Sequence, residues 1–165
     1  MILPSGLEDK RARYVEVRSR LEALLDPECD WVAAMATVAC ELHHAFDAFH
    51  WTGFYRVVSP GLLRVGPYQG DHVCLEISFD RGVCGAAART RETQVVDDVT
   101  TFPGHIACSA TTRSEIVVPI CGEGGELLGV LDVDSDESAA FDEVDREALE
   151  ALCADLGRRY ARVSS

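Results

Sequence analysis

Trp51-Thr-Gly-Phe-Tyr-Arg-Val-Val58, Leu62-Leu-Arg-Val-Gly-Pro-Tyr68 and His72-Val-Cys-Leu-Glu-Ile77 carry β-branched and aromatic residues with a period of two. Ser59-Pro60-Gly61 and Gln69-Gly70-Asp71 separate them as turns. Three such segments with short connections read as three consecutive antiparallel strands. Upstream the period is different. Tyr14, Val17, Leu21 and Leu24 recur at steps of three and four, which predicts a helix over residues 8–25, and Met35, Val38, Leu42 and Phe46 do the same over 30–46 with Asp30 as N-cap. Downstream, Ala86-Ala87-Ala88-Arg89 favours a short helix, Thr93 to Val96 a strand, and Glu115 to Ile120 with Leu127 to Asp134 two more strands around the turn at Gly122. A last helix is expected over 142–160, with Val144, Ala148, Leu152 and Leu156 on one face. This order predicts an α+β fold: one mainly antiparallel sheet of about six strands with helices packed on a face, all within one domain spanning 1–165.

Composition bounds the function. With 47% hydrophobic residues in 165, the chain buries a core without disulfides or metals. The net charge of −13 repels phosphate backbones and anionic lipid, so neither nucleic acid nor membrane is an expected partner. No stretch approaches ~18 uninterrupted apolar residues and no basic leader opens the chain, so a cytoplasmic location is expected. Seven cysteines are an odd set, which argues against a permanent disulfide framework and for a transient bridge. Zinc knuckles need close cysteine pairs, and Cys-x-x-Cys is absent. Cys40 with His43 and His44 has helical spacing and reads as a small thiol beside two partly exposed histidines, so no metal and no cofactor are expected.

Asp97 to Arg113 has no sustained periodicity and is longer than most connections, as functional loops often are. It holds Cys108 among small residues, after His105 and before Arg113, the setting of an accessible, reactive thiol. Cys74 and Cys84 precede it. Asp132 and Asp134 alternate with Val133, so both carboxylates point to one sheet face and Val133 to the other. Carboxylates set together with Glu115 raise one another's pKa and keep a proton for donation; as strand-end residues the two aspartates would have no such role. Trp51 and Tyr55, an even number apart, share a face and serve either core packing or a pocket wall.

Trp51-x-Gly-Phe-Tyr, Gly66-Pro-x-Gln-Gly, Gly82-Val-Cys-Gly, Asp98-Val, Phe102-Pro-Gly-His-Ile-Ala-Cys, Arg113-Ser-Glu-Ile-Val-Val-Pro and Gly129-Val-Leu-Asp-Val-Asp-Ser together resemble the free methionine-(R)-sulfoxide reductases, which are built on a GAF domain. The resemblance spans about residues 22–156. It implies a GAF-type fold and thiol-dependent reduction of free L-methionine-(R)-sulfoxide. A thiolate attacks the sulfoxide sulfur while an acid protonates the oxygen; the resulting sulfenic acid condenses with a second thiol, and an external dithiol such as thioredoxin restores the enzyme. By resemblance Cys108 is the nucleophile, Cys74 the resolving thiol and Cys84 a second or alternative one, with the roles of Cys84 and Cys108 still exchangeable. Glu115, Asp132 and Asp134 are implied pocket residues, Glu115 and Asp134 favoured for the sulfoxide. Trp51 and Tyr55 are implied walls for the methyl and thioether groups, and Asp98 with the backbone near Ile106 positions the amino acid.

Some features stay open at this level. His105 either stabilises the thiolate or faces solvent, and Arg113 pairs with the substrate carboxylate or with Glu115. Ser109 stands where many relatives are expected to have aspartate. Cys29, Cys40, Cys121 and Cys153 are extra to the redox set, with Cys121 and Cys153 read as structural. The competing functions are a non-catalytic GAF sensing module and a thiol redox sensor. A length of one domain counts against the first, and a homodimer is left open.

Overall fold

The computed structural model describes residues 6–26, 30–105 and 108–161. Helices α1 (Gly6–Leu24) and α2 (Trp31–Ala45) lead into strands β1 (Trp51–Ser59), β2 (Leu62–Gln69) and β3 (Glu76–Ser78). Helix α3 (Gly82–Thr90), strand β4 (Gln94–Val96), a 3₁₀ turn over Val99–Thr101, strands β5 (Ser114–Cys121) and β6 (Leu127–Ser135), and helix α4 (Glu143–Tyr160) complete it. The strands form one antiparallel sheet in the order β3-β2-β1-β6-β5-β4. The expected α+β class and six strands are therefore present.

The helices divide between the two faces. Helix α2 lies on β1 and β2, α4 lies on β5, and α1 packs across α2 and α4. Their apolar stripes meet Phe54, Ile116, Val118, Leu131 and Val133 in the larger core. Fully buried residues such as Leu131, Leu149 and Leu156 each contribute roughly 1.5–3 kcal/mol there. Helix α3 alone covers the opposite face, where Val83, Cys84, Ala87 and Ala88 pack with Tyr55, Val117 and Val130 in a second core. Expecting helices on a single face missed this layer, because a short alanine-rich helix shows no long apolar stripe. Leu24, expected in the α1 stripe, is 55% exposed, and Leu25 is buried instead.

Local chemistry sets the ends. Asp30 accepts from the Ala33 amide at 2.8 Å and so starts α2 as expected. Asp142 accepts from the Val144 amide at 2.9 Å while Asp145 accepts from the Asp142 amide at 2.9 Å, a reciprocal capping box that starts α4. Helix α3 begins four residues before the alanine run. Gly82 takes φ 68°, open to glycine at no steric cost, and its amide donates to the Gly104 carbonyl at 3.0 Å.

The third strand is shorter than predicted. Of His72 to Ile77 only Glu76 onward is strand. Ahead of it the chain is held by β1 side chains as well as by β2: Trp51 Nε1 donates to Asp71 O at 2.9 Å and Tyr55 OH to Cys74 O at 3.0 Å, while the Val65 amide donates to Leu75 O at 2.9 Å. Among the described residues no helix is long and apolar enough to cross a membrane.

Candidate functional site

The site is built on a row running across three strands. Trp51 of β1 lies directly opposite Asp134 of β6, which lies opposite Glu115 of β5. One step along, Gly53 faces Asp132. Alternation then sends Glu115, Asp132 and Asp134 to the α3 side of the sheet, while Val133 enters the helix-side core, as the spacing predicted. A Cβ at position 53 would collide with Tyr68 and stand 2.6 Å from the Trp51 ring, so glycine is required for the ring to lie flat across this strand. The ring stacks between Tyr55 and Tyr68, at centroid distances of 6.1 and 5.2 Å.

Over these carboxylates sits a cavity of about 40 Å³, walled by Tyr55, Cys84, His105, Cys108 and the three acids. That is room for about three waters. Cys108 is bonded to Cys74 in a disulfide with the Cα atoms 5.5 Å apart. Both cysteines are half-buried. A second cavity of about 80 Å³ adjoins the first and holds Trp51, His50 and His72; Val73, Ser109, Thr112 and Asp134 wall both. The chain around the disulfide thus partitions a larger concavity between the Trp51 ring and the Glu115 carboxylate.

Burial governs the electrostatics. Glu115 and Asp132 are 7% and 5% exposed. Burial, followed by the charge of Asp132, holds the Glu115 carboxyl well above the usual range. Burial and the charge of Asp134 do the same to Asp132, and burial and the charge of Glu115 to Asp134. Burial and then Asp132 push the Tyr55 hydroxyl up as well. Three acids crowded together and buried all resist ionisation, the condition under which a carboxyl can hold a proton for donation. Cys84 is 4% exposed and donates its S–H to Glu115 Oε1 at 4.0 Å. Burial, then Asp132, Glu115 and Asp134, push its thiol well above the ordinary value, so Cys84 is a neutral thiol and a poor nucleophile.

The remaining candidates separate. His105 and Ser109 line the cavity beside Cys108. Asp98 does not: it is exposed and accepts from the Thr100 amide at 3.0 Å and the Thr100 hydroxyl at 2.6 Å, capping the 3₁₀ turn. Ile106 lies outside the described residues. Arg113 is exposed, and its charge adds to the hydrogen bonds from Thr100 in lowering Asp98. Reading the sequence missed Val73, Ile77, Val83 and Thr112 as walls; Val83 was within reach, standing next to Cys84 in Gly82-Val83-Cys84-Gly85. Cys153 is buried in the larger core, as expected of a structural thiol, and Cys121 is half-buried at the end of β5. Cys40 Sγ lies 3.7 Å from His44 Nδ1, but the His43 ring turns to Thr52 Oγ1 at 3.3 Å, so the three do not converge. Among the described residues, the donor atoms that do converge are those of Cys84, Glu115 and Asp132.

The chain is similar in sequence and fold to known proteins. The GAF domain family matches residues 32–158. The free methionine-R-sulfoxide reductase of Saccharomyces cerevisiae is 44% identical over 137 residues, 79% of this chain and 76% of that protein. The protein of the same name from Escherichia coli is 35% identical over 153 residues, 93% and 92% of the two chains. The X-ray structure of free methionine-R-sulfoxide reductase from Neisseria meningitidis in complex with its substrate superposes with a TM-score of 0.88 at 42% identity, covering 100% of this chain and 98% of that one.

Proposed function

This chain belongs to the free methionine-(R)-sulfoxide reductase family, oxidoreductases built on a GAF domain, and on that premise we propose that it reduces free L-methionine-(R)-sulfoxide with Cys108 as nucleophile. The Cys108 thiolate attacks the sulfoxide sulfur. A carboxyl of the cluster, Glu115 or Asp134, gives its proton to the oxygen; the S–O bond breaks, methionine leaves, and the oxygen passes to Cys108 as a sulfenic acid. The Cys74 thiol displaces that oxygen as water and forms the disulfide. An external dithiol, thioredoxin or a similar carrier in the cytoplasm, then reduces the bridge and becomes oxidised itself.

The observation that carries this reading is the Cys74–Cys108 bridge, set on the wall of the cavity that holds the three acids. It supports Cys108 over Cys84 for the attack, because Cys84 is buried among carboxyls that disfavour a thiolate whereas Cys108 is half-buried on a loop. Cys84 then acts as a neutral donor to Glu115. The half-exposure of both bridged cysteines suits reduction by a protein dithiol. The Trp51 and Tyr55 rings are read as the wall for the methyl and thioether groups. With the bridge formed, the cavity is too small for an amino acid, so substrate entry requires reduction and movement of the Cys108 segment. Asp98 and the Ile106 backbone are kept as positioning groups for the amino acid, to be reached by that movement.

The test uses the whole chain as one catalytic unit. Purified protein with dithiothreitol and each diastereomer of free methionine sulfoxide, followed by amino-acid analysis, should consume the R form alone. Persistence of the R form would refute the proposal and favour a binding module. Retained turnover in Cys108→Ser would transfer the attack to Cys84.

A further inference from the structure

Reading residues by their spacing in the chain predicts no metal here, yet the fold assembles a donor set that spacing cannot reveal. Cys84 comes from α3, Glu115 from β5 and Asp132 from β6. One ligand atom from each lies within 4.8 Å of the others, and all three residues are buried. The Cys84 Sγ to Glu115 Oε1 distance is 4.0 Å. Tetrahedral zinc, at about 2.3 Å from sulfur and 2.0 Å from oxygen, holds such a pair roughly 3.5 Å apart. An inward shift of about 0.5 Å brings that pair to zinc distance, and the remaining separations, all within 4.8 Å, close by side-chain rotation toward the ion.

An independent observation concerns Asp132. This residue is 5% exposed, and its Oδ1 has no hydrogen-bond partner. A buried carboxylate oxygen without a donor is costly, and a cation supplies what it lacks. Asp134 lies on the wall of the same cavity, outside the three converging donors.

We propose that Cys84, Glu115 and Asp132 bind a zinc-class divalent cation, and that the bound ion blocks the sulfoxide chemistry of the same cavity. One thiolate with two carboxylates selects zinc or cadmium over magnesium and calcium, which prefer all-oxygen sites. The ion occupies the carboxylates that the sulfoxide oxygen needs, so the two exclude each other. The blocking half rests on the proposed reaction, whereas the binding half does not.

The decisive measurement is a cadmium titration of the oxidised full-length protein, read by thiolate-to-cadmium charge-transfer absorption, with zinc added as competitor. Oxidation engages Cys74 and Cys108, leaving Cys84 as the free thiol among the described residues lining the cavity; every other cysteine is common to wild type and Cys84→Ser and contributes equally to both. The difference between those two proteins should show one cadmium–thiolate band saturating at one equivalent and displaced by zinc. Asp132→Asn should keep the band but weaken binding at least tenfold. Identical titrations of wild type and Cys84→Ser, or unchanged affinity in Asp132→Asn, would overturn the site. Should Cys84→Ser not fold, the isosteric Asp132→Asn and Glu115→Gln decide by the same tenfold criterion.

A second arm mixes reduced, desalted enzyme with the R-sulfoxide and counts thiols lost in a single turnover. One equivalent of zinc should slow that loss at least tenfold, and a chelator should restore it; an undiminished rate with zinc bound removes the blocking half. Failure to turn over without zinc would count against the reductase reaction alone and leave the titration standing.

Discussion

Asp145 at the start of α4 and Asp132 in the middle of β6 are almost equally buried, at 1% and 5% exposed, yet their surroundings are opposites. Asp145 Oδ1 accepts from the Tyr14 hydroxyl at 2.6 Å, and its Oδ2 from Lys10 Nζ at 2.7 Å and the Asp142 amide at 2.9 Å. Every lone-pair direction that matters is met, and α1 is thereby fastened to α4. Asp132 has around it a thiol and two more acids, with Oδ1 unmet. Burial alone therefore does not distinguish a structural carboxylate from a functional one; the supply of donors does. Removing an acid should cost stability at the first site and activity at the second.

The largest expected effect lies next to the second site. Cys108→Ser should lower kcat/KM for the R-sulfoxide by roughly 10⁴-fold, as loss of a nucleophile does, measured by methionine release. Asp145→Ala should come next, destabilising the protein by about 2–3 kcal/mol because it strands the buried Tyr14 hydroxyl, opens the capping box and leaves Lys10 with Asp142 alone. That figure is discounted for Lys10, whose side chain keeps 22% of its exposure. Urea unfolding measures the loss, and kcat/KM of the folded variant should stay within about twofold of wild type. Glu115→Gln should do the reverse, lowering kcat/KM roughly hundredfold while leaving urea stability equal or higher. If Glu115→Gln unfolded as readily as Asp145→Ala, the contrast between the two clusters would collapse.

The smallest effect is in pH dependence, and its sign differs between the clusters. The Glu115 carboxyl is raised in the folded state above its ordinary 4.5, by burial and then Asp132, so ionisation costs more folded than unfolded. Stability from this group is full below about 4.5 and declines as pH rises toward the folded value. Glu115→Gln should therefore gain on wild type between pH 4.5 and neutrality. At the other cluster, burial tends to raise Asp142, but the hydrogen bond and charge of Lys10 together with the Asp145 and Val144 amides outweigh it and leave the carboxyl below 3.8; burial tends to lower Lys10, but its bonds to Asp142 and Asp145 together leave it above 10.5. The Asp142 contribution is present above pH 3.8 and lost on acidification through the lower folded value. The Lys10 contribution is present below pH 10.5 and lost on alkalinisation through the higher one. Lys10→Met should lower stability by a near-constant amount between those limits, checked by urea midpoints across the range.

How much of this was legible in the sequence depended on the range of the interaction. Period and capping are local, so Trp51 to Val58, the Asp30 cap and the alternation of Asp132, Val133 and Asp134 were readable from neighbours a few positions apart. Helix α3 was readable as a helix but not as a layer, since Ala87 and Ala88 reveal nothing about which face they cover. The truncation of β3 was hidden because the contacts made by the chain ahead of it are long-range: Trp51 and Tyr55, some twenty residues upstream, donate to the Asp71 and Cys74 carbonyls. Arg113, offered the substrate carboxylate or Glu115 as partners, is exposed on the loop, and its charge contributes to lowering Asp98. The Cys74–Cys108 pairing was available only through family resemblance. Spacing offers no rule that joins two cysteines across a helix and a strand.

That bridge also reaches beyond the cavity it walls. It closes a segment of 34 residues that carries β3, α3, β4 and the 3₁₀ turn. Tying a loop of that length withdraws roughly 3–4 kcal/mol of conformational freedom from the unfolded chain. Each turnover of the proposed cycle would then alternate between two proteins of unequal stability, and the reductant that reopens the bridge must supply the free energy that loop closure had conferred on the fold. The layer contributed by α3 lies wholly inside the loop that those two sulfur atoms close.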